Sequence, residues 1–145
     1  MIRKYEAADR ALLLSLFDEF YHSPAVLHPV PAAFFERTLN AVEAGSPFLA
    51  LYVLESDGRA AGYALLVLSY SNEAGGPVVW LDEIYIRPDF RGHGLGNEFF
   101  DFLEKEYADA ARIRLEVEPD NEGAVRLYRR RGFKKLDYDQ YIRGV

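Results

Sequence analysis

The chain of 145 residues has no cysteine, which rules out disulfides, thiolate zinc sites and a cysteine nucleophile. Its three histidines, His22, His28 and His93, share no metal-ligand spacing, so no metal is expected. Seventeen basic residues face 23 acidic ones, a net charge of -6, which argues against nucleic acid as a partner. No apolar run approaches the ~20 residues of a membrane span. Phe48 to Leu54 is short and Tyr63 to Leu68 shorter, so no membrane partner is expected. The opening Met1-Ile2-Arg3-Lys4-Tyr5-Glu6 lacks the apolar stretch and small-residue cleavage site of a signal peptide, which points to a soluble cytoplasmic protein. Repeats, low-complexity tracts and linkers rich in Pro, Gly or Ser are missing too. The expectation is a single domain over residues 1–145.

What is there is a core-forming composition: half of the residues are hydrophobic, and ten Phe and ten Tyr accompany a single Trp. Ile2 to Tyr5 reads as a short strand. Leu13, Leu16, Phe17 and Phe20 recur at helical spacing within Ala8 to Phe20. Pro31 opens a second helix, with Phe35, Leu39 and Val42 on one face and Gly45 as its stop. Phe48 to Glu55 and Arg59 to Ser69 are apolar runs joined by Ser56-Asp57-Gly58, a hairpin signal. Val78 to Arg87 reads as a further strand, Leu95 to Tyr107 as a helix, Ile113 to Glu118 as an alternating strand, and Asn121 to Arg131 as a helix closed by Gly132. Phe133 to Leu136 and Gln140 to Val145 carry a fainter strand pattern. This order implies an α+β fold with a mixed sheet rather than a doubly wound one.

The segment Arg91-Gly92-His93-Gly94-Leu95-Gly96 lies between a strand and a helix. Unpaired N–H groups at a helix start, together with the helix dipole, attract anions, and glycines let an anion approach the backbone. A nucleotide P-loop needs Lys-Ser or Lys-Thr after its last glycine, whereas Leu95-Gly96-Asn97 follows Gly94. A dinucleotide turn needs a third glycine where Asn97 stands. A turn with no ligand remains an alternative, but three glycines in five positions exceed what a turn requires.

Leu81-Asp82-Glu83-Ile84-Tyr85-Ile86-Arg87-Pro88 followed by Arg91-Gly92-His93-Gly94-Leu95-Gly96 resembles the acyl-CoA signature of the GNAT superfamily of N-acetyltransferases. Asn121-Glu122-Gly123-Ala124-Val125-Arg126-Leu127-Tyr128 with Arg131-Gly132-Phe133 is similar to its C-terminal motif. The resemblance spans the chain in element order. It implies a mostly antiparallel sheet with splayed central parallel strands and flanking helices, and acetyl-CoA as co-substrate. It implies that Ile84, Tyr85 and Ile86 pair with the pantetheine arm, and that the turn from Arg91 through Gly92, His93, Gly94, Leu95 and Gly96, with Asn97, holds the diphosphate. Asn121 is implied near the pantetheine and Tyr128 beside the acetyl-CoA sulfur. Their plainer readings are a helix N-cap and a half-buried core aromatic. Arg129, Arg130 and Arg131 are most simply last-turn cations.

An acceptor amine is mostly protonated at neutral pH, so a transferase must remove a proton, hold an oxyanion and protonate the leaving thiolate. Asp82 and Glu83 are the candidate bases; as strand neighbours they are expected on opposite faces, with one facing the cleft. Glu83, with its longer reach, is preferred. The pair resembles an acidic pair, in the reverse order, in diamine acetyltransferases of the superfamily. A strand N–H near Tyr85 is expected to meet the oxyanion. With no cysteine available, transfer is direct. Tyr21 to Pro24 and Tyr70 to Glu73 are expected to border the acceptor cleft. The function implied is acetyl transfer to a primary amine of a small molecule, a polyamine-like cation first. The alternatives are a protein or peptide acetyltransferase and a catalytically silent CoA-binding module. A homodimer is compatible with the sequence.

Overall fold

Apolar alternation and Asp-Gly turn chemistry build the sheet. The computed structural model describes residues 1–144. It forms β1 (Ile2–Lys4), α1 (Arg10–Tyr21), α2 (Ala32–Glu43), β2 (Leu49–Ser56), β3 (Arg59–Ser71), β4 (Gly76–Ile86), α3 (Leu95–Glu106), β5 (Arg112–Leu115) and α4 (Glu122–Arg130). The sheet runs β1-β2-β3-β4-β5, antiparallel except for the last, parallel pair. The β2–β3 hairpin turns on Asp57 (φ 50°) and Gly58 (φ 70°), the two consecutive positive dihedrals that a tight hairpin demands.

Helices cover both faces. Leu13, Leu16 and Phe17 of α1 and Phe35 and Leu39 of α2 pack with Val53, Tyr63, Leu65 and Tyr85. On the other face Leu95, Phe99, Phe100 and Leu103 of α3 and Tyr128 of α4 pack with Leu54, Ala64, Leu66 and Leu81. None of the described helices is long and apolar enough to cross a membrane.

Two sequence readings change here. β5 pairs only over Arg112–Leu115, aligned with Val78–Leu81, and Glu116 to Glu118 leave the sheet. The cause lies in the partner strand, which carries a bulge immediately after Leu81. The second change concerns Phe133 to Leu136 and Gln140 to Gly144, which form no strand. Phe133 instead packs edge-on against Phe100 and Tyr128. Beyond it the apolar residues alternate with Lys134, Lys135, Asp137 and Asp139, and the segment 134–144 is exposed. Val145 lies outside the described residues. The parallel pair consequently sits at the edge of the described sheet.

Gly62 sets how closely β3 and β4 approach. A Cβ there would lie 1.9 Å from the Tyr85 carbonyl oxygen and 3.0 Å from the Ile86 Cα. Both obstacles are backbone, so neither can swing aside. Gly62→Ala is expected to destabilise the fold by about 3 kcal/mol, the upper range for overpacking. Urea unfolding checks this, and an unchanged midpoint would show that the strands part freely.

Candidate active site

The bulge in β4 organises the site. β3 pairs Leu66 with Leu81 and Leu65 with Glu83, so Asp82 is the extra residue. Before it, Val79 and Leu81 face α3 and α4; after it, Ile84 and Ile86 pack on that side while Glu83 and Tyr85 turn to the α1 side. The one-residue slip brings Asp82 and Glu83 to the same cavity. This corrects the expectation that strand alternation would leave only one of them in the cleft.

The bulge also begins the splay. Past Leu81 and Leu115 the parallel strands no longer pair, and the gap opens into two clefts. The Arg87 N–H donates to the Ala61 carbonyl, and the Tyr85 carbonyl points at Gly62. By strand alternation the polar backbone groups of Ile84 and Ile86 point the other way, into the gap. The Ile86 carbonyl accepts from Arg91 Nε at 2.7 Å. The Ile84 N–H and carbonyl and the Ile86 N–H are what the open edge offers. The N–H of Tyr85 itself faces β3, so the neighbouring Ile84 N–H is the strand donor near Tyr85 that is open to the cleft.

The first cleft, of about 950 Å³, is walled by residues 84 to 86, 91, 92 and 94 to 97, and by Asn121, Ala124 and Tyr128. His93 is the one turn residue off that wall, and it is exposed. Gly92 (φ 77°) and Gly94 (φ 86°) bend the chain into α3, and Gly94 serves as its N-cap without a side-chain cap. The first-turn N–H groups of Leu95, Gly96 and Asn97 therefore lack helical acceptors and carry the positive end of the dipole. A Cβ on Gly94 would meet nothing within 4 Å; one on Gly96 would meet Leu127 of α4 at 3.0 Å. The two glycines serve different ends: Gly94 supports the left-handed turn, Gly96 the close seating of α3 on α4.

At the start of α4, Asn121 caps the helix by accepting from the Ala124 N–H at 3.3 Å, and the residue also lines both clefts. Tyr128, two turns later, is 8% exposed and held edge-on by Phe100. Burial pushes its hydroxyl pKa up to about 12. The ring is packed, yet among the described residues its hydroxyl has no hydrogen-bond partner, and it sits where the two clefts meet.

The second cleft, of about 750 Å³, has an acidic wall of Asp82, Glu83, Glu116 and Glu118 facing apolar Val26, Leu27, Val30 and Phe34. Among the described residues no Lys or Arg lines it. Glu83 is buried, and each carboxylate oxygen accepts from a phenol: Oε2 from Tyr63 at 2.6 Å and Oε1 from Tyr21. Burial raises its pKa above the ordinary carboxylate range, while the two phenols pull it back down. Asp82 is exposed at the cleft wall but crowded by protein, and burial followed by the charge of Glu116 raises its carboxyl too.

Of the acceptor-side segments read from sequence, Tyr21 lines the second cleft, and Ser23 and Pro24 the first. Tyr70 to Glu73 line neither cleft; they lie where Tyr70 pairs with Pro77, at the far end of β3 and β4. Among the arginines, Arg130 borders the first cleft with Arg126, whereas Arg131 pairs with Asp101 and Glu104. Sequence reasoning missed Phe20, Ala25, Glu116, Glu118 and Tyr63. The first four lie outside any motif. Tyr63 looks in sequence like any strand aromatic.

The sequence model of the Acetyltransferase (GNAT) family matches residues 11–133. A thialysine N-epsilon-acetyltransferase of Bos taurus is 29% identical, over 94% of this chain and 85% of its own. A spermine/spermidine N(1)-acetyltransferase of Bacillus subtilis is 32% identical, over 57% of this chain and 60% of its own. The fold matches that of the aminoglycoside acetyltransferase AAC(6')-Iy in complex with a CoA bisubstrate analog, with a TM-score of 0.80, 18% identity, and coverage of 100% of this chain and 97% of that one. It also matches a ribosomal-protein-alanine N-acetyltransferase from Brucella melitensis, with a TM-score of 0.75, 18% identity, and coverage of 100% and 99%. With a glycine turn at a helix start, a splayed strand pair and a family match over most of its length, the chain belongs to the GNAT family and is an acyl-CoA-dependent N-acetyltransferase.

Proposed function

We propose that the protein moves acetyl from acetyl-CoA directly to a primary amine of a small cationic molecule, with polyamine-like cations the first group. The observation that carries this is the second cleft: among the described residues it has four carboxylates, no Lys or Arg, and an apolar wall opposite. Such a surface suits a charged amine on an aliphatic body. The spermine/spermidine and thialysine relatives act on amines of that description by name.

The two clefts divide the work. The first takes acetyl-CoA. The N–H groups of the turn and of the first turn of α3 hold the diphosphate, and the open edge at Ile84 and Ile86 pairs with the pantetheine. Residues 84 to 86, 91 to 97 and Asn121 form this site; His93 contributes its backbone. The second takes the acceptor. Ile84, Asn121 and Tyr128 line both clefts, which places the thioester between them. Glu83 is the base on which the proton lost by the ammonium is finally held. The amine nitrogen attacks the carbonyl carbon, the Ile84 N–H stabilises the oxyanion, the C–S bond breaks, and Tyr128 protonates the thiolate. The Tyr128 oxygen regains a proton from the new amide nitrogen. Asp82 adds attraction for the cation.

Gly94→Val is expected to weaken acetyl-CoA binding at least ~10-fold, about 1.4 kcal/mol. The new side chain would enter open space on the cleft wall and strain a φ of 86°. Calorimetry on the folded variant checks this; unchanged affinity removes the turn from the cofactor site.

The acceptor assignment is tested by initial rates with spermidine, aminoglycosides, amino acids and short peptides at rising salt. Polyamine KM is expected to increase with ionic strength, because screening weakens attraction to the acidic wall. Inert polyamines beside a rapidly acetylated peptide would replace this substrate class with a protein acceptor.

A further inference from the structure

Glu83 does not open freely onto the cleft. Tyr63 lies beneath it, fully buried, and donates to Oε2 at 2.6 Å. Tyr21, half-buried on the last turn of α1, donates to Oε1 and itself lines the acceptor cleft. Tyr21 is held for this task. Its ring packs edge-on against Phe20 at 5.1 Å and tilted against Phe35 at 5.3 Å, both fixed in the core under α1 and α2. Resting on the assignment of Glu83 as base, we propose that Tyr21 is a catalytic relay: its hydroxyl takes the proton from the acceptor ammonium while passing its own proton to Glu83 Oε1, and Tyr63 is a positioning residue that anchors the carboxylate from below.

The step balances. One ammonium N–H bond breaks and one O–H bond forms on Tyr21. The original Tyr21 O–H bond breaks and an O–H bond forms on Glu83. The phenol ends neutral, the amine gains its lone pair for attack, and Glu83 later returns the proton to solvent. Burial and the neighbouring Glu83 and Asp82 raise the Tyr21 pKa well above that of a free phenol, so it stays protonated. It can pass a proton without holding negative charge. The other groups facing Glu83 do not duplicate the path. Asp82 adjoins it on β4, Glu116 and Glu118 line the cleft after β5, His28 precedes α2, and Tyr128 comes from α4. Within hydrogen-bond distance of its oxygens are Tyr21 and Tyr63 alone among the described residues.

The test compares Tyr21→Phe, Tyr63→Phe, Glu83→Gln and the double variant Tyr21→Phe/Glu83→Gln. Readouts are kcat against pH with spermidine and acetyl-CoA affinity by calorimetry. Tyr21→Phe keeps the ring and its packing. A relay predicts a kcat loss of at least ~10-fold on the high-pH plateau, little change in acetyl-CoA affinity, and a double variant no slower than Glu83→Gln, since both act on one proton path. Tyr63→Phe removes a donor from the carboxylate form, so the pH midpoint is expected to rise while the plateau is kept. If Tyr21→Phe moves only the midpoint, as Tyr63→Phe does, Tyr21 merely positions Glu83 and the relay is overturned while the base stands. If Glu83→Gln itself turns over normally, both the base and the relay fall. Should Tyr21→Phe unfold, Glu83→Asp supplies the reading: a shortened acid loses contact with Tyr21, so a relay predicts a drop like that of Glu83→Gln, and full activity overturns it.

Discussion

Tyr128→Phe is expected to lower kcat about 10²-fold, a transition-state loss of about 2.7 kcal/mol, with little change in acetyl-CoA affinity. The ring and its contacts with Phe100 and Phe133 survive the change. Only a hydroxyl at the meeting of the clefts disappears. Because that hydroxyl has no partner among the described residues, its loss leaves no orphaned donor or acceptor and stability should hold. With its pKa at about 12 it remains a proton donor through neutral pH, so its ionisation should lower the wild-type rate only on the far alkaline limb. Steady-state rates beside thermal melts decide the matter. A folded variant turning over normally would return Tyr128 to a core aromatic.

Glu83→Gln is expected to lower kcat by about 10²-fold or more and to flatten its rise with pH. The sign follows from burial. A carboxylate whose pKa is raised in the fold binds its proton at low pH and becomes a base as pH climbs through the raised value. Wild-type activity should thus rise with pH above the ordinary carboxylate range and then level. Asp82→Asn should leave that rise in place and chiefly increase KM for a cationic acceptor, several-fold at low salt, since Asp82 shares the wall without the phenol contacts. If the amide at 82 abolishes the pH dependence and the amide at 83 does not, the base is Asp82.

The contrast between these two residues marks where the sequence stops being readable. Helices and strands with a local period were legible: Leu13, Leu16 and Phe17 on α1, the Asp57-Gly58 hairpin, and the glycines of the turn. The bulge at Asp82 was not, because it is a mismatch between two strands and leaves no trace in either alone. That single residue overturned the alternation argument, put both carboxylates in one cleft and ended the parallel pairing. Glu116 and Glu118 belong to the alternating Ile113 to Glu118 pattern; once β5 ends at Leu115, they become cleft wall. Tyr63 needed tertiary information altogether, since its meaning lies in a contact 20 residues away. The apolar positions after α4 looked like strands, but without partners they remain exposed.

In the proposed reaction acetyl is delivered where the two clefts meet, between Tyr128 and the acidic wall. A crystal structure with acetyl-CoA bound tests it most directly. The diphosphate is expected on the N–H groups of residues 92 to 97, the pantetheine along Ile84 and Ile86, and the thioester sulfur roughly 3–4 Å from the Tyr128 hydroxyl. A thioester directed away from Tyr128, with the acetyl group outside the cleft of Asp82 and Glu83, would contradict it.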